Sequence, residues 1–204
     1  MVHAIFIGRD FIGNDSCCLI LGDNIFYGTD LVKKLQQAVA QESGATVFAY
    51  PVNDPQRYGV VELSQNNEVL SLEEKPDKPK FRYAVTRIYF YDNRVLDVAS
   101  SLKPSLRGEL EITDINQHYL NIGQLKVIRM GRGTAWFDTG TYESLIDAAE
   151  FIQMMEKRQG FKICCPEEIA FRMGFISSDE LHFLANELMK NGYGHYLKML
   201  LHES

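Results

Sequence analysis

Short unbroken apolar runs dominate the front of the chain, alternating segments its middle and helical periodicity its end. Ser16–Leu21 (SCCLIL) is a continuous apolar run closed by Gly22-Asp23-Asn24, the pattern of a strand buried on both faces in a parallel sheet. Thr29–Glu42 carries Leu31, Leu35, Ala38 and Val39 at helical spacing, with Thr29 or Asp30 placed to cap its start and Gly44 after its end. Ala45–Tyr50 is a second apolar strand, so the front predicts a βαβ unit and a doubly wound, Rossmann-like α/β sheet. Tyr58–Leu63, Glu68–Glu73, Tyr83–Tyr91 and Gln124–Met130 are strand-like, with turn signals at Gln65-Asn66-Asn67 and Pro76–Pro79, and Glu111–Ile122 is helical.

From Thr141 the period changes. Thr141–Gln159 places Leu145, Ile146, Ala149, Ile152 and Met155 at helical spacing, and Pro166–Arg172, Ser177–Leu188 and Asn191–Leu201 follow as shorter helices. Ser177-Ser178-Asp179-Glu180 has the form of an N-cap with an acidic first turn. The chain is expected to divide into an α/β part over 1–140, a partial doubly wound sheet, and a C-terminal helical appendage over 141–204.

Composition narrows the classes. At 204 residues, 46% hydrophobic and 11% aromatic, the chain is long enough to bury a core and too apolar for disorder. A net charge of −6 without a Lys/Arg run argues against nonspecific nucleic-acid binding, which rests on phosphate neutralisation. No apolar window is long enough for a membrane span, and the apolar start, Met1–Gly8, lacks a cationic leader. A cytoplasmic protein with no membrane partner is expected. The four cysteines form two adjacent pairs, Cys17-Cys18 and Cys164-Cys165, poorly placed for a disulfide or a metal and read as small apolar fillers. The five histidines, His3, His118, His182, His195 and His202, show neither ligand spacing nor a nucleophile partner.

Four segments could carry chemistry, and each has a plain alternative. Asp23 follows a strand directly, where an α/β sheet binds ligands, so it either holds a metal or shapes an Asx turn. Asp138, in Trp136-Phe137-Asp138-Thr139-Gly140-Thr141, is either a second metal carboxylate or, with Thr139, a cap for the helix that follows. Glu73-Glu74-Lys75-Pro76 is either a solvated strand end or a place where a Glu meets sugar hydroxyls and Lys75 meets a phosphate. Gly59, inside a strand pattern, marks a bulge or a close backbone approach.

Together with Leu21-Gly22-Asp23-Asn24, Asp54–Glu62, Tyr89-Phe90-Tyr91-Asp92, Arg107–Asp114 and Cys165–Ala170, in this order, these segments resemble the glucose-1-phosphate thymidylyltransferase family over nearly the whole chain. The resemblance implies transfer of a thymidylyl group from dTTP to glucose 1-phosphate, feeding dTDP-rhamnose and other deoxysugars. It implies Mg²⁺ held by Asp23 and Asp138. It further implies that Lys75 binds the sugar phosphate, and that Asn24, Gly59, Glu74, Val85, Tyr89 and Trp136 line the substrate site. A homotetramer is also implied, with a regulatory nucleotide site at Tyr27, Gly28, Arg132, Glu168, Ile169 and Arg172.

Three departures stand out. The family's Gly-Gly-x-Gly-Thr-Arg-Leu loop, whose amides and Arg hold the triphosphate, is absent, and Ser16–Leu21 is expected to lose a neighbouring strand and expose an edge. His3 stands at a family Gln position. Arg87 stands at a family Gly position, on the same strand face as Val85 and Tyr89, where it either crowds the sugar pocket or bends out of it. A non-catalytic remnant, or a sugar-nucleotide binding module with other chemistry, is the competing reading. The missing loop predicts negligible pyrophosphate release when the purified chain meets dTTP and glucose 1-phosphate. Robust turnover would refute that expectation.

Overall fold

The computed structural model describes residues 1–105 and 108–202; Arg107, which opens one of the motifs above, lies outside them. The chain divides into two compact units, Met1–Asp138 and Thr139–Ser204.

The first unit runs α1 (Val2–Ile7), α2 (Arg9–Ile12), β1 (Cys17–Ile20), β2 (Asn24–Tyr27), α3 (Leu31–Val39), β3 (Ala45–Pro51), a 3-10 turn at Pro55–Arg57, β4 (Gly59–Leu63), β5 (Val69–Glu74), β6 (Tyr83–Tyr91), α4 (Val95–Ser101), α5 (Ile112–Asn121), β7 (Leu125–Arg129) and β8 (Ala135–Asp138). The main sheet has the order β5-β4-β6-β3-β7, and β2 and β8 form a separate two-stranded ribbon. β6 is the shared strand. One of its edges takes β3 along its length, and the other takes β4 at Tyr83–Ala84 and β1 at Ile88–Tyr91, all antiparallel. β1 and β3 therefore run parallel to one another with β6 between them, joined through α3 as a βαβ crossover.

The α/β class holds, with a correction at β1. Its expected burial on both faces in a parallel sheet is replaced by an antiparallel pairing with β6 alone and alternate exposure, Cys18 and Ile20 facing out. β6 itself is the strand buried on both faces. Val85, Tyr89 and Tyr91 face a core shared with Val2, Ile5, Val95, Ile112, Ile115 and Tyr119. Ala84 and Ile88 face a second core with Phe26, Ala38, Phe48, Tyr58, Met130 and Trp136. Helices α1, α4 and α5 thus cover one face, and α3 with the β2–β8 ribbon covers the other. Period-two alternation places Arg87 on the first face, between Val85 and Tyr89.

Two helix ends also differ from expectation. α3 stops at Val39 with Ala40 as its C-cap, and the side chain of Asp30 makes no capping bond. Gly44 starts β3 instead: its φ is +93°, and a Cβ there would lie 2.5 Å from the Gln124 carbonyl oxygen. In the second unit, Thr141, not Asp138 or Thr139, caps α6 (Tyr142–Gln159) through a reciprocal box with Ser144. α7 (Pro166–Arg172), α8 (Ser178–Glu187) and α9 (Gly192–Leu200) follow, and α8 starts on a Ser177–Glu180 box. Cys165, Leu181, Ala185, Tyr196, Leu197 and Leu200 form the core of this unit, while Leu145 and Ile146 of α6 remain exposed. Among the described residues no helix is long and apolar enough to cross a membrane.

One carboxylate ties the first unit together. Asp92, at the end of β6, accepts from the Gly44 amide at 2.6 Å, the Tyr119 hydroxyl at 2.8 Å and the Arg94 Nε at 3.0 Å. Burial pushes its carboxyl up, but the bonds from Arg94, Gly44 and Tyr119 outweigh this and hold it below the usual carboxylate range. A depressed folded value means the stabilisation is fully present above the unfolded value, near ~3.9, and disappears as pH falls through the folded value. Asp92→Asn is expected to cost about 1–3 kcal/mol in urea denaturation at neutral pH. It should also flatten the loss of stability on acidification. An unchanged midpoint with an unchanged acid limb would contradict this role.

Candidate functional site

The site is built where the β2–β8 ribbon meets β6. Antiparallel pairing sets Asn24 opposite Asp138 and Phe26 opposite Trp136, so segments 112 positions apart share one ribbon. Asp23 precedes the first paired residue, in a tight turn. The Leu21 amide donates to the Arg87 carbonyl on β6, and the Asn24 amide returns to the Leu21 carbonyl, each at 3.2 Å. The register is pinned by aromatic packing. Trp136, the single tryptophan of the chain, packs on Phe26, Tyr50 and Tyr58 with ring centres 6.3, 5.8 and 5.1 Å away. Its indole N–H donates to the Asn24 side-chain oxygen at 2.7 Å, and the Asn24 amide nitrogen donates to Asp23 at 2.7 Å.

Asp138 is paired. Its Oδ2 lies 3.6 Å from Arg87 Nη2, both side chains being mostly buried, and Arg87 Nη1 lies 3.2 Å from the Met1 sulfur. Arg87, Tyr58, Gly59, Glu74, Val85, Tyr89, Ile112, Thr113 and Met1 surround a residual cavity of about 10 Å³, at the threshold for a single water. Burial pushes the Tyr89 phenol well up, with Glu74 and Asp138 adding to the rise against Arg87. The Tyr58 phenol is raised by burial too, and Asp54 and Asp138 add to it against Arg57 and Arg87. These groups therefore feel one another's charge across a small, poorly solvated space.

Gly59 is there because Glu74 needs the room. β4 and β5 pair Gly59 with Glu74, and a Cβ on residue 59 would sit 3.0 Å from the Thr113 hydroxyl and 3.1 Å from the Glu74 carboxylate. Thr113 on α5 donates its hydroxyl to that carboxylate. Lys75 follows at once with φ +44°, its amide donating to the Tyr58 carbonyl at 3.0 Å, so the strand turns away just after Glu74.

The structure thus gathers Gly59, Glu74, Val85 and Tyr89 around one cavity, and Asn24, Trp136, Asp23 and Asp138 at the end of the ribbon beside it. Tyr27 and Gly28 lie at the opposite end of β2, where Gly28 packs against the 133–134 backbone and Arg132 is exposed in the same loop. Glu168, Ile169 and Arg172 lie on α7 in the other unit. There Glu168 accepts from Arg172 Nε at 2.7 Å and from the Tyr196 hydroxyl, while Ile169 is exposed. Thr113 and Met1 also line the cavity, although neither was expected at the site. Thr113, the second residue of α5 after the Glu111 N-cap, lies within the Arg107–Asp114 segment that carries the family resemblance, which was the signal for it; nothing pointed to Met1.

A family profile described as "Nucleotidyl transferase" matches residues 1–154. A glucose-1-phosphate thymidylyltransferase of Xanthomonas campestris pv. campestris (strain B100) is 54% identical over 200 residues, covering 98% of this chain and 68% of that relative. One from Mycolicibacterium smegmatis is 55% identical over 201 residues, covering 98% and 69%. The crystal structure of a putative glucose-1-phosphate thymidylyltransferase from Bacillus anthracis in complex with a sucrose superposes with a TM-score of 0.66 at 44% identity, over 74% of this chain and 60% of that one. UDP-glucose pyrophosphorylase complexed with UDP-glucose shares the fold, with a TM-score of 0.64 at 22% identity over 76% of this chain and 62% of that one. The chain thus spans about two thirds of the length of the two sequence relatives and less of the solved structures.

With the cavity reduced to water size, Arg87→Gly is expected to open it. Saturation-transfer NMR should then show stronger contact with glucose 1-phosphate than the unaltered chain gives. Equal transfer in both proteins would mean that Arg87 does not fill this space.

Proposed function

We propose, starting from the fact that the chain belongs to the glucose-1-phosphate thymidylyltransferase family, that it serves the transfer of a thymidylyl group to glucose 1-phosphate and carries the metal and sugar-phosphate side of that site. In this reaction a phosphate oxygen of glucose 1-phosphate bonds to the α-phosphorus of dTTP as the bond to pyrophosphate breaks. Such a transfer asks little covalent chemistry of the protein. It asks for alignment and for neutralisation of the charge on the phosphate oxygens.

Support comes above all from the β2–β8 register, which sets Asp138 opposite the residue next to Asp23. Two carboxylates with an amide oxygen nearby suit a hard cation such as Mg²⁺, which takes one or two carboxylates and completes its shell with phosphates and water. A cluster of three or more His, Cys, Asp or Glu, absent among the described residues, is not required for this. When bound, Mg²⁺ would neutralise and orient phosphate oxygens. Asp23 and Asp138 would hold it, and Asn24 would keep Asp23 in place while itself anchored by Trp136. Lys75 would meet the sugar phosphate as a point charge. Glu74, already aimed into the cavity and accepting from Thr113, would accept from sugar hydroxyls, with Gly59, Val85 and Tyr89 shaping the pocket.

Trp136 provides the probe. Mn²⁺, a paramagnetic stand-in for Mg²⁺, is expected to quench its fluorescence saturably, and Asp138→Asn or Asp23→Asn should raise the half-saturating concentration on the order of tenfold, about 1.4 kcal/mol. Quenching that is absent, or that persists unchanged in both variants, removes the metal from this site and the reading with it.

A further inference from the structure

Arg87 is a charge in an apolar row. Its neighbours on the same strand face, Val85 and Tyr89, are nearly fully buried, and its own side chain is 20% exposed. A guanidinium so placed loses hydration and must recover it from partners. Among the described residues its side chain has two at hand: Asp138 Oδ2 at 3.6 Å and the Met1 sulfur at 3.2 Å. A thioether is a weak acceptor, and the contact to Asp138 is single and long compared with a bidentate Arg–carboxylate fork. Asp138, 13% exposed, is likewise a mostly buried carboxylate, with Arg87 as the cation beside it. The Arg87 backbone also holds the other carboxylate's turn, through its carbonyl and the Leu21 amide.

We propose that Arg87 is an intramolecular cation competing with a divalent metal for Asp138, and so determines how tightly this site takes the metal. The inference rests on the function proposed above for Asp23 and Asp138. A cation already beside Asp138 weakens metal binding in two ways. Its guanidinium lies against one oxygen of the carboxylate that would otherwise coordinate, and its positive charge repels a second cation through a poorly solvated space. Removing the charge should strengthen metal binding; shortening the side chain while keeping the charge should not.

The test counts bound Mn²⁺ by electron paramagnetic resonance titration of the full chain, with folding of each variant checked by thermal melting. Arg87→Met keeps most of the length and removes the charge. It is expected to bind Mn²⁺ on the order of tenfold more tightly than the unaltered chain, whereas Arg87→Lys should stay within about twofold of it. Adding Asp138→Asn to Arg87→Met should abolish the gain. If Arg87→Met leaves the affinity unchanged while Asp138→Asn alone weakens it, the competition is overturned and the function proposed above stands. An equal gain in Arg87→Met and Arg87→Lys assigns the effect to packing and likewise overturns it. If Asp138→Asn has no effect in either background, the ion binds elsewhere, and both the inference and the metal site fall.

Discussion

Everything at the site depends on the pairing of Asn24–Tyr27 with Ala135–Asp138. These are four-residue strands, too short to be stable as an isolated hairpin, and they come from opposite ends of the first unit. Their register is held by side chains rather than by length. Trp136 sits among Phe26, Tyr50 and Tyr58, and its indole N–H is committed to Asn24. A slip of one residue would turn Trp136 out of its core and separate Asp138 from Asn24. Trp136 and Asp138 are two residues apart and share a face of the ribbon, so the aromatic cluster and the placement of Asp138 are set by one register.

β6 transmits that constraint to the rest of the unit. It pairs with β1, β3 and β4, its carbonyl at Arg87 anchors the turn before Asp23, and its end carries Asp92, which gathers β3 and α5. One strand thus fixes the turn before Asp23, the cavity wall through Val85 and Tyr89, and the polar network at the far end of the sheet. The same strand carries a charged residue at odds with its surroundings. Arg87 lies where alternation demands an inward side chain, so its charge is compensated locally by Asp138. The small residual cavity and the ion pair are both consequences of that position.

Much of this architecture was legible in the residues. Period-two alternation located β6 to the residue and put Arg87 beside Val85 and Tyr89, and helical periodicity with Ser177 and Glu180 located α8. What escaped has physical causes. β2 and β8 are shorter than the span over which a period can be read, and each is half-buried only because the other covers it. α1 looked like an unassigned apolar start, although Val2 and Ile5 are core residues. The edge exposed by β1 was expected, but its antiparallel pairing and its open face were not, because an apolar run does not report strand direction. Asp23 and Asp138 could be paired from family resemblance but not from spacing, since only the fold brings the two segments into one ribbon.

The central claim is that these two carboxylates face one cation position at the end of the ribbon. Anomalous diffraction from crystals soaked in Mn²⁺ tests it most directly. The account predicts a single strong peak within coordination distance, roughly 2.0–2.2 Å, of both Asp23 and Asp138, with the Arg87 guanidinium displaced from Asp138. A peak bound to other residues, or carboxyl groups turned to opposite sides of the ribbon, would contradict it.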